Sequence, residues 1–317
     1  MLRFAETAPV EVDGVLRLVP SYSPENTPGG ARAPVATDAT MDVAILRDAA
    51  RATALLGRAR GDDSLDARWA AVVAGLPPYR VADDGTLAEW IDPAWGEEIA
   101  HRHASQLYPL WYELDPAFTG DGEEAARLRG AAAATVAAKI AWRAEAPTAP
   151  PGRMEMAFGL VQVGTAAAAL GDAEAALTCA EWLAVDHWSP TLTTRHDAGR
   201  IFNLDASGGL PGLVASMLLG STDGSLSVLP ALPAAWPSGS ATGLRARGGL
   251  VVDLEWTPGG ATATVRRVDG AEWLAPAEGT LIVAPRAAVL RVDGSVVESA
   301  RLEVGSEPVR LELEWRA

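Results

Sequence analysis

Residues 222–256 read TDGSLSVLPALPAAWPSGSATGLRARGGLVVDLEW, and the hydrophobic rhythm of the chain changes inside this stretch. From Ser225 onward, short runs that alternate or stay apolar are split by Gly, Pro and Asp: SLSVLPAL, TGLRARGG and LVVDLEW, then ATATVRRV, TLIVAP, AVLRVDG and VRLELEW. Period-two alternation between turn residues marks strands, so residues 224–317 are read as an antiparallel β-sandwich domain. Upstream the period is helical. In ATMDVAILRDAARATALLG the apolar positions 43, 45, 46, 49 and 56 fall at helical spacing, in a helix that Asp38 or Thr40 could cap. SLDARWAAVVAGLPP stops at Pro77–Pro78, as helices do. EEAARLRGAAAATVAAKIAWRAEA reads as a long Ala-rich helix. EMAFGLVQVGTAAAALG and AEAALTCAEWLAVDHW pair as a hairpin around Gly171–Asp172, and GLPGLVASMLLGS is a last helix. An all-α segment followed by an all-β segment sets two layers or domains, 1–223 and 224–317, rather than a βαβ sheet. Serial helix hairpins with long loops fit an α/α toroid, in which loops at one mouth carry the chemistry.

Composition narrows the function. The chain has 317 residues, 49% of them hydrophobic, and a net charge of −15. Such a surface repels phosphate backbones and anionic lipid, so neither nucleic acid nor membrane is an expected partner. No run reaches the length of a membrane span. The start, MLRFAETAPVEVDG, lacks a basic segment followed by an apolar core, so no signal peptide is expected. A chain complete at this end would be placed in the cytoplasm. The opening also reads as the tail of a helix, as though the chain were part of something larger. The one cysteine, Cys179, falls in an apolar helical pattern and reads as a buried hydrophobe. Eleven tryptophans beside four Phe and four Tyr give a skewed aromatic set. Indole faces suit the C–H faces of sugars, and they equally fill helix cores.

Elimination leaves carboxylates. There is no GxSxG elbow, no P-loop and no GxGxxG after a strand. The pair His101 and His103 has no third ligand beside it, and Arg102 between them disfavours a cation, so no metal or other cofactor is expected. HRH reads better as a polar clamp for hydroxyls, or as a loop ion pair with Glu97 or Glu98. Glu25 stands behind Pro24 on non-helical backbone, either aimed into a cleft or on a plain surface turn. Asp205 in RIFNLDASGG precedes small residues that allow close approach, or else caps the following helix. Glycoside hydrolysis needs two such groups, an acid for the leaving oxygen and a second carboxylate on the opposite face.

VPSYSPEN, TMDVAILRD, TLAEWI, HRHASQLYPL, LDASGGLPGLVASMLL and LSVLPALPAAWPSGSATGLRARGGLVVDLEW occur in the order seen in glycoside hydrolase family 95, and the chain resembles that family over most of its length. The resemblance implies a partial (α/α)6 toroid followed by the β domain, with the N-terminal part of the barrel missing. It implies inverting exo-hydrolysis of terminal α-L-fucosides, or α-L-galactosides, on an oligosaccharide or glycan. Carried over by motif, it makes Glu25 the general acid and Asp205 the group that activates water. Arg102 and His103 would contact the sugar, with Trp90 of TLAEWI and His196 as further substrate-binding candidates. The chain departs from the family in four places. The Asn-x-Asn motif that shares the water has no counterpart. The family's GNFG after the aspartate is ASGG here. The family histidine six residues before the aspartate is Gly199, and SHLY has become SQLY at Gln106. The departures leave an alternative, an inactive truncated relative that at most binds sugar. Linkage and oligomeric state are not encoded in any of these motifs.

Overall fold

A computed structural model describes residues 1–145, 156–197, 201–276, 278–285, 288–292, 294–297 and 300–315. The chain starts with a short helix α1 (Leu2–Thr7), a hairpin β1 (Val10–Val12) and β2 (Val15–Arg17), and a small pair β3 (Ser21–Tyr22) and β4 (Val35–Ala36). Six longer helices follow: α2 (Thr40–Arg60), α3 (Asp66–Gly75), α4 (Glu123–Glu145), α5 (Ala157–Leu170), α6 (Ala173–Asp186) and α7 (Asp205–Leu218).

Local chemistry explains the ends. Gly61 closes α2 with φ 63°, and Gly171 closes α5 with φ 78°, left-handed conformations that glycine adopts without a Cβ penalty. Asp172 caps α6 by accepting from the Ala175 N–H at 3.1 Å. The expected cap of α2 is not used. Ala39 is its N-cap residue, Asp38 instead accepts from Leu18 N at 2.6 Å, and the Thr40 N–H donates to the Glu89 carbonyl at 3.0 Å. Tertiary partners have taken over the role a side-chain cap would play.

The helical core is shared by every long helix. Val43 and Leu46 of α2, Leu128 of α4, Leu160 of α5, Leu183 of α6 and Leu213 of α7 all lie within it. Helices α5 and α7 run side by side in the same direction, because a Cβ on Gly209 would meet Val161 and one on Gly164 would meet Leu213. Helix α6 returns antiparallel to α5 across the Gly171 turn and packs against both. The N-termini of α5 and α7 and the C-terminus of α6 therefore share one end of the helical part.

The β part begins earlier than residue 224. Helix α7 passes directly into β5 (Leu219–Thr222), which forms a hairpin with β6 (Ser225–Val228) across Asp223–Gly224. The turn that reads as a domain boundary is the tip of this first hairpin. β7 (Gly239–Ala246), β8 (Leu250–Thr257) and β9 (Gly260–Arg267) form a meander, followed by β10 (Thr280–Val283), β11 (Ala288–Val292), β12 (Ser295–Val297), β13 (Ala300–Leu302) and β14 (Val309–Trp315). They form two sheets, in the orders β13-β10-β6-β5 and β12-β11-β14-β9-β8-β7. One core lies between the two, with Leu226 and Ile282 from the first facing Val252, Val265 and Leu311 from the second. The reading of a wholly antiparallel sandwich needs one correction, because β6 and β10 pair in parallel with Leu226 opposite Ile282. Between them the chain crosses to the other sheet for β7, β8 and β9, and a crossover of that length is what parallel neighbours require.

The packing of α5 gives a direct test. A Cβ on Gly164 would lie 2.6 Å from Leu213 Cδ2 and 2.9 Å from Cys179 Cβ. Gly164→Val is expected to lower stability by about 1–3 kcal/mol, the usual range for overpacking, read from the urea midpoint of the full chain.

Candidate active site

Glu25 sits on a loop whose neighbours are buried while it is not. Ser23 and Asn26 are 0% and 2% exposed, whereas the Glu25 side chain is 56% exposed. The Pro24–Glu25 peptide is cis. A tight turn forms as Asn26 N donates to Ser23 O at 2.8 Å. The Pro24 carbonyl accepts from His103 Nδ1 at 2.7 Å and from Ser105 Oγ at 2.8 Å. Upstream, Ser21 Oγ donates to Asp42 at 2.6 Å and accepts from Ala39 N at 2.8 Å, which ties the loop to the start of α2.

The HRH segment meets this loop from the other side. Arg102 forms an ion pair with the Glu25 carboxylate. His103 Nε2 lies 2.8 Å from Met156 Sδ, and its ring packs edge-on against Phe158 at 6.0 Å. Beneath the segment, Lys139 of α4 donates to three converging carbonyls, Ile99 at 3.0 Å, His101 at 3.1 Å and His103 at 2.6 Å. Burial pulls the ammonium pKa down, and the charges of Glu89, Glu98 and Glu97 hold it back. Burial, with the Lys139, His103 and Arg102 charges, drives His101 down to about 3. His103 is also lowered, first by burial, while its bond to the Pro24 carbonyl and the Glu25 charge oppose the shift. Both rings are thus held toward the neutral form, which can donate through one nitrogen and accept through the other.

Asp205 occupies the first turn of α7, with Leu204 as N-cap residue, so it neither caps that helix nor lies before it. Its Oδ2 accepts from Asn203 Nδ2 at 2.8 Å and it faces solvent. The preceding segment is pinned to the mouth formed by α5 and α7. His196 O accepts from Ala157 N at 2.8 Å, and Thr194 Oγ1 lies 2.7 Å from Ser207 Oγ. His196 itself is half-buried, 3.9 Å from the Asp197 carboxylate. Gly199, where the family has its histidine, lies outside the described residues. The fold thus brings Arg102 onto Glu25 and His103 onto the adjoining Pro24 carbonyl, and it carries His196 and Asp205 on the loop and helix start at the same end of α5.

Trp90 requires a correction. It is 0% exposed, packed with Ala36, Ala39 and nearby Trp95, so its ring supports the loops from below and offers no face to a sugar. Gln106 is likewise fully buried. The cavity behind Arg102, lined by His101, Lys139, Met156 and Trp182, holds about 30 Å³, room for one water and not for a sugar ring. A sugar at this site would lie on the open face that carries the Glu25 carboxylate. A larger cleft of about 760 Å³ lies at the opposite ends of α5 and α7, against the β part, and contains none of these candidates.

Two residues that the motif reading passes over organise the site, Glu89 and Lys139. For Lys139 the sequence does carry a signal. It is the single lysine of the chain, and all other basic side chains of the Lys and Arg set are arginine. A compact ammonium points three donors from a single atom at carbonyls that converge on it, whereas a guanidinium spreads its donors around a plane.

Comparison with known proteins agrees with the layout. The family model described as "Glycosyl hydrolase family 95 catalytic domain" matches residues 1–218, and "Glycoside hydrolase family 95, C-terminal domain" matches residues 220–302. The chain is similar to Alpha-L-fucosidase 2 of Arabidopsis thaliana, 32% identical over 264 residues, a match covering 78% of this chain and 29% of that protein. The chain therefore spans less than a third of the length of this curated relative.

Two measurements test the site as built. Lys139→Met leaves three carbonyls and the Glu89 charge without their cation, and should cost about 3–5 kcal/mol in urea unfolding. His101, lowered from 6.5 to about 3, should show carbon-bound ring proton shifts that stay flat from about pH 8 to 5 by NMR. Because the unfolded chain takes up that proton and the folded one does not, this residue withdraws stability as the pH falls from 6.5 toward 3.

Proposed function

The chain belongs to glycoside hydrolase family 95, and from that premise we propose that its site serves the inverting exo-hydrolysis of terminal α-L-fucosides, or of the related α-L-galactosides, on glycans. The helices are then a segment of an (α/α)6 toroid with the site at the mouth where α5 and α7 begin. The observation that carries the reading is the setting of Glu25, an exposed carboxyl on a buried loop, in contact with Arg102 and beside His103.

In this reading Glu25 gives its proton to the glycosidic oxygen as the C1–O bond breaks. A water attacks C1 from the opposite face and passes its proton to Asp205, so an α-glycoside gives a β-configured sugar. In this reading Arg102 binds hydroxyls of the terminal sugar, while His103, buried with Nδ1 on the Pro24 carbonyl and Nε2 against Met156 Sδ, holds the acid loop from beneath. A hydroxyl that takes up donors of Arg102 loosens its hold on Glu25. The partner is a glycan whose terminal L-sugar fits this face.

A second reading, sugar binding without turnover, draws support from the exposed setting of Asp205, whose carboxylate is tied to Asn203. One experiment separates the two. The full chain is incubated with an aryl α-L-fucoside and with 2'-fucosyllactose, and the anomer released first is followed by proton NMR. Release of the β anomer, with a loss of about 10²–10⁴-fold in kcat for Glu25→Gln, is expected for a general acid. Saturable L-fucose binding with no turnover would establish the second reading.

A further inference from the structure

Glu89 is a buried carboxylate beneath the site, 1% exposed, and the chemistry above makes no use of it. Its Oε1 accepts from Ser23 Oγ at 2.6 Å, and its Oε2 accepts from Asn26 Nδ2 at 2.9 Å. These donors flank Pro24 and Glu25 on either side. The same Asn26 amide also reaches Glu98 O at 2.9 Å. Glu89 is itself fixed through its backbone, with its N–H donating to Glu97 Oε2 at 2.7 Å and its carbonyl accepting from Thr40 N at 3.0 Å.

We propose that Glu89 is a positioning residue for Glu25, gripping the loop at Ser23 and Asn26 so that the carboxyl between them is held facing the sugar. The inference rests on the hydrolase reading for its consequence in turnover, but not for its mechanical part. Pro24 has no N–H, and the Glu25 side chain points outward, so apart from the Asn26 N to Ser23 O turn bond the loop is held by groups outside it. Three outside anchors hold it: the Ser23 hydroxyl, the Pro24 carbonyl and the Asn26 amide. One carboxylate takes two of the three. The third goes to His103 and Ser105, and the His103 carbonyl is one of those gathered by Lys139. Both Glu89 and Lys139 are buried; burial pushes the Glu89 pKa up and the Lys139 pKa down, and the charge of each opposes the shift of the other. The acid loop is therefore anchored on buried Glu89 and the HRH segment on buried Lys139, and a shift of Glu89 moves Glu25 relative to Arg102 and His103.

The test compares the full-length chain with Glu89→Ala, Glu89→Gln and Asn26→Ala. The glutamine can still accept from Asn26 and donate to the Ser23 hydroxyl, so it should rescue most of the effect. Two substrates are used, a phenyl α-L-fucoside, whose departure needs the acid, and α-L-fucosyl fluoride, whose departure does not. Glu89→Ala should lower kcat on the phenyl glycoside by about 100-fold and on the fluoride by under about 5-fold, with KM nearly unchanged, because it acts through the general acid. Equal losses on both substrates would overturn the proposal. In parallel, hydrogen exchange at the Asn26 and Thr27 amides should accelerate at least about tenfold while α5 amides keep their protection. Unchanged exchange there would also overturn it. If Glu89→Ala does not fold, Asn26→Ala, which removes one half of the grip, is read by the same two measurements. A wild-type chain that turns over neither substrate defeats the hydrolase reading alone, and the exchange result still decides whether Glu89 holds the loop.

Discussion

The site depends on an opposed pair of buried charges, the Lys139 ammonium and the Glu89 carboxylate. Neither side chain is free to relax into water, since they are 4% and 1% exposed. Burial of a charge is tolerated only where hydrogen bonds and an opposite charge replace the lost hydration. Here every such bond runs to a loop of the site. The ammonium collects carbonyls from residues 99, 101 and 103, and the carboxylate collects the side chains of Ser23 and Asn26. Segments that have almost no regular secondary structure acquire fixed positions because the charges beneath them need partners. Helix α4 contributes one charge and the segment before Trp95 the other, so the loops inherit the rigidity of the helical core.

How much of this was legible in the sequence follows from the range of each interaction. Helices and most strands are written in local periodicity, and the elements from α2 to α7 and from β6 to β11 fall close to where apolar spacing puts them. The exceptions are non-local. Asp38 and Thr40 look like caps in isolation and are drawn instead to Leu18 and Ala88. β5 is missed because LGST continues an apolar helix without a turn residue, and only its partner β6 makes it a strand. The parallel pairing of β6 with β10 is a property of the crossover and leaves no mark in either strand.

The site shows the same division. Motif order led to Glu25, Arg102 and His103, and the fold joins them across 77 to 79 residues of sequence. Trp90 was drawn in by its chemistry, since an indole suits a sugar, yet the same apolar face suits a core, and the core took it. Glu89, beside it in TLAEWI, looks like any helix-surface or loop glutamate until Ser23 and Asn26 arrive from more than sixty residues away. Lys139 was visible as a compositional anomaly, one lysine among arginines, and its meaning appears only when three carbonyls converge on it.

The direct passage of α7 into β5 bears on how the molecule comes apart. Leu218 and Leu219 belong to the β core, Met217 to the helical core, and Trp236 packs against both. Backbone bonds lock the seam, with Leu229 N to Leu218 O at 2.9 Å and Ala231 N to Met217 O at 3.1 Å. Side chains reinforce it, as Arg58 pairs with Asp223 at 2.6 Å and Arg247 donates to Tyr112 O at 3.0 Å. There is no flexible tether at which one part could melt while the other persisted. The β part is thus a poor candidate for a transplantable module, because cutting at the seam strips a wall from both cores. Heat or denaturant should meet a single cooperative body, in which damage to the sheets is felt at the helix ends that carry the chemistry.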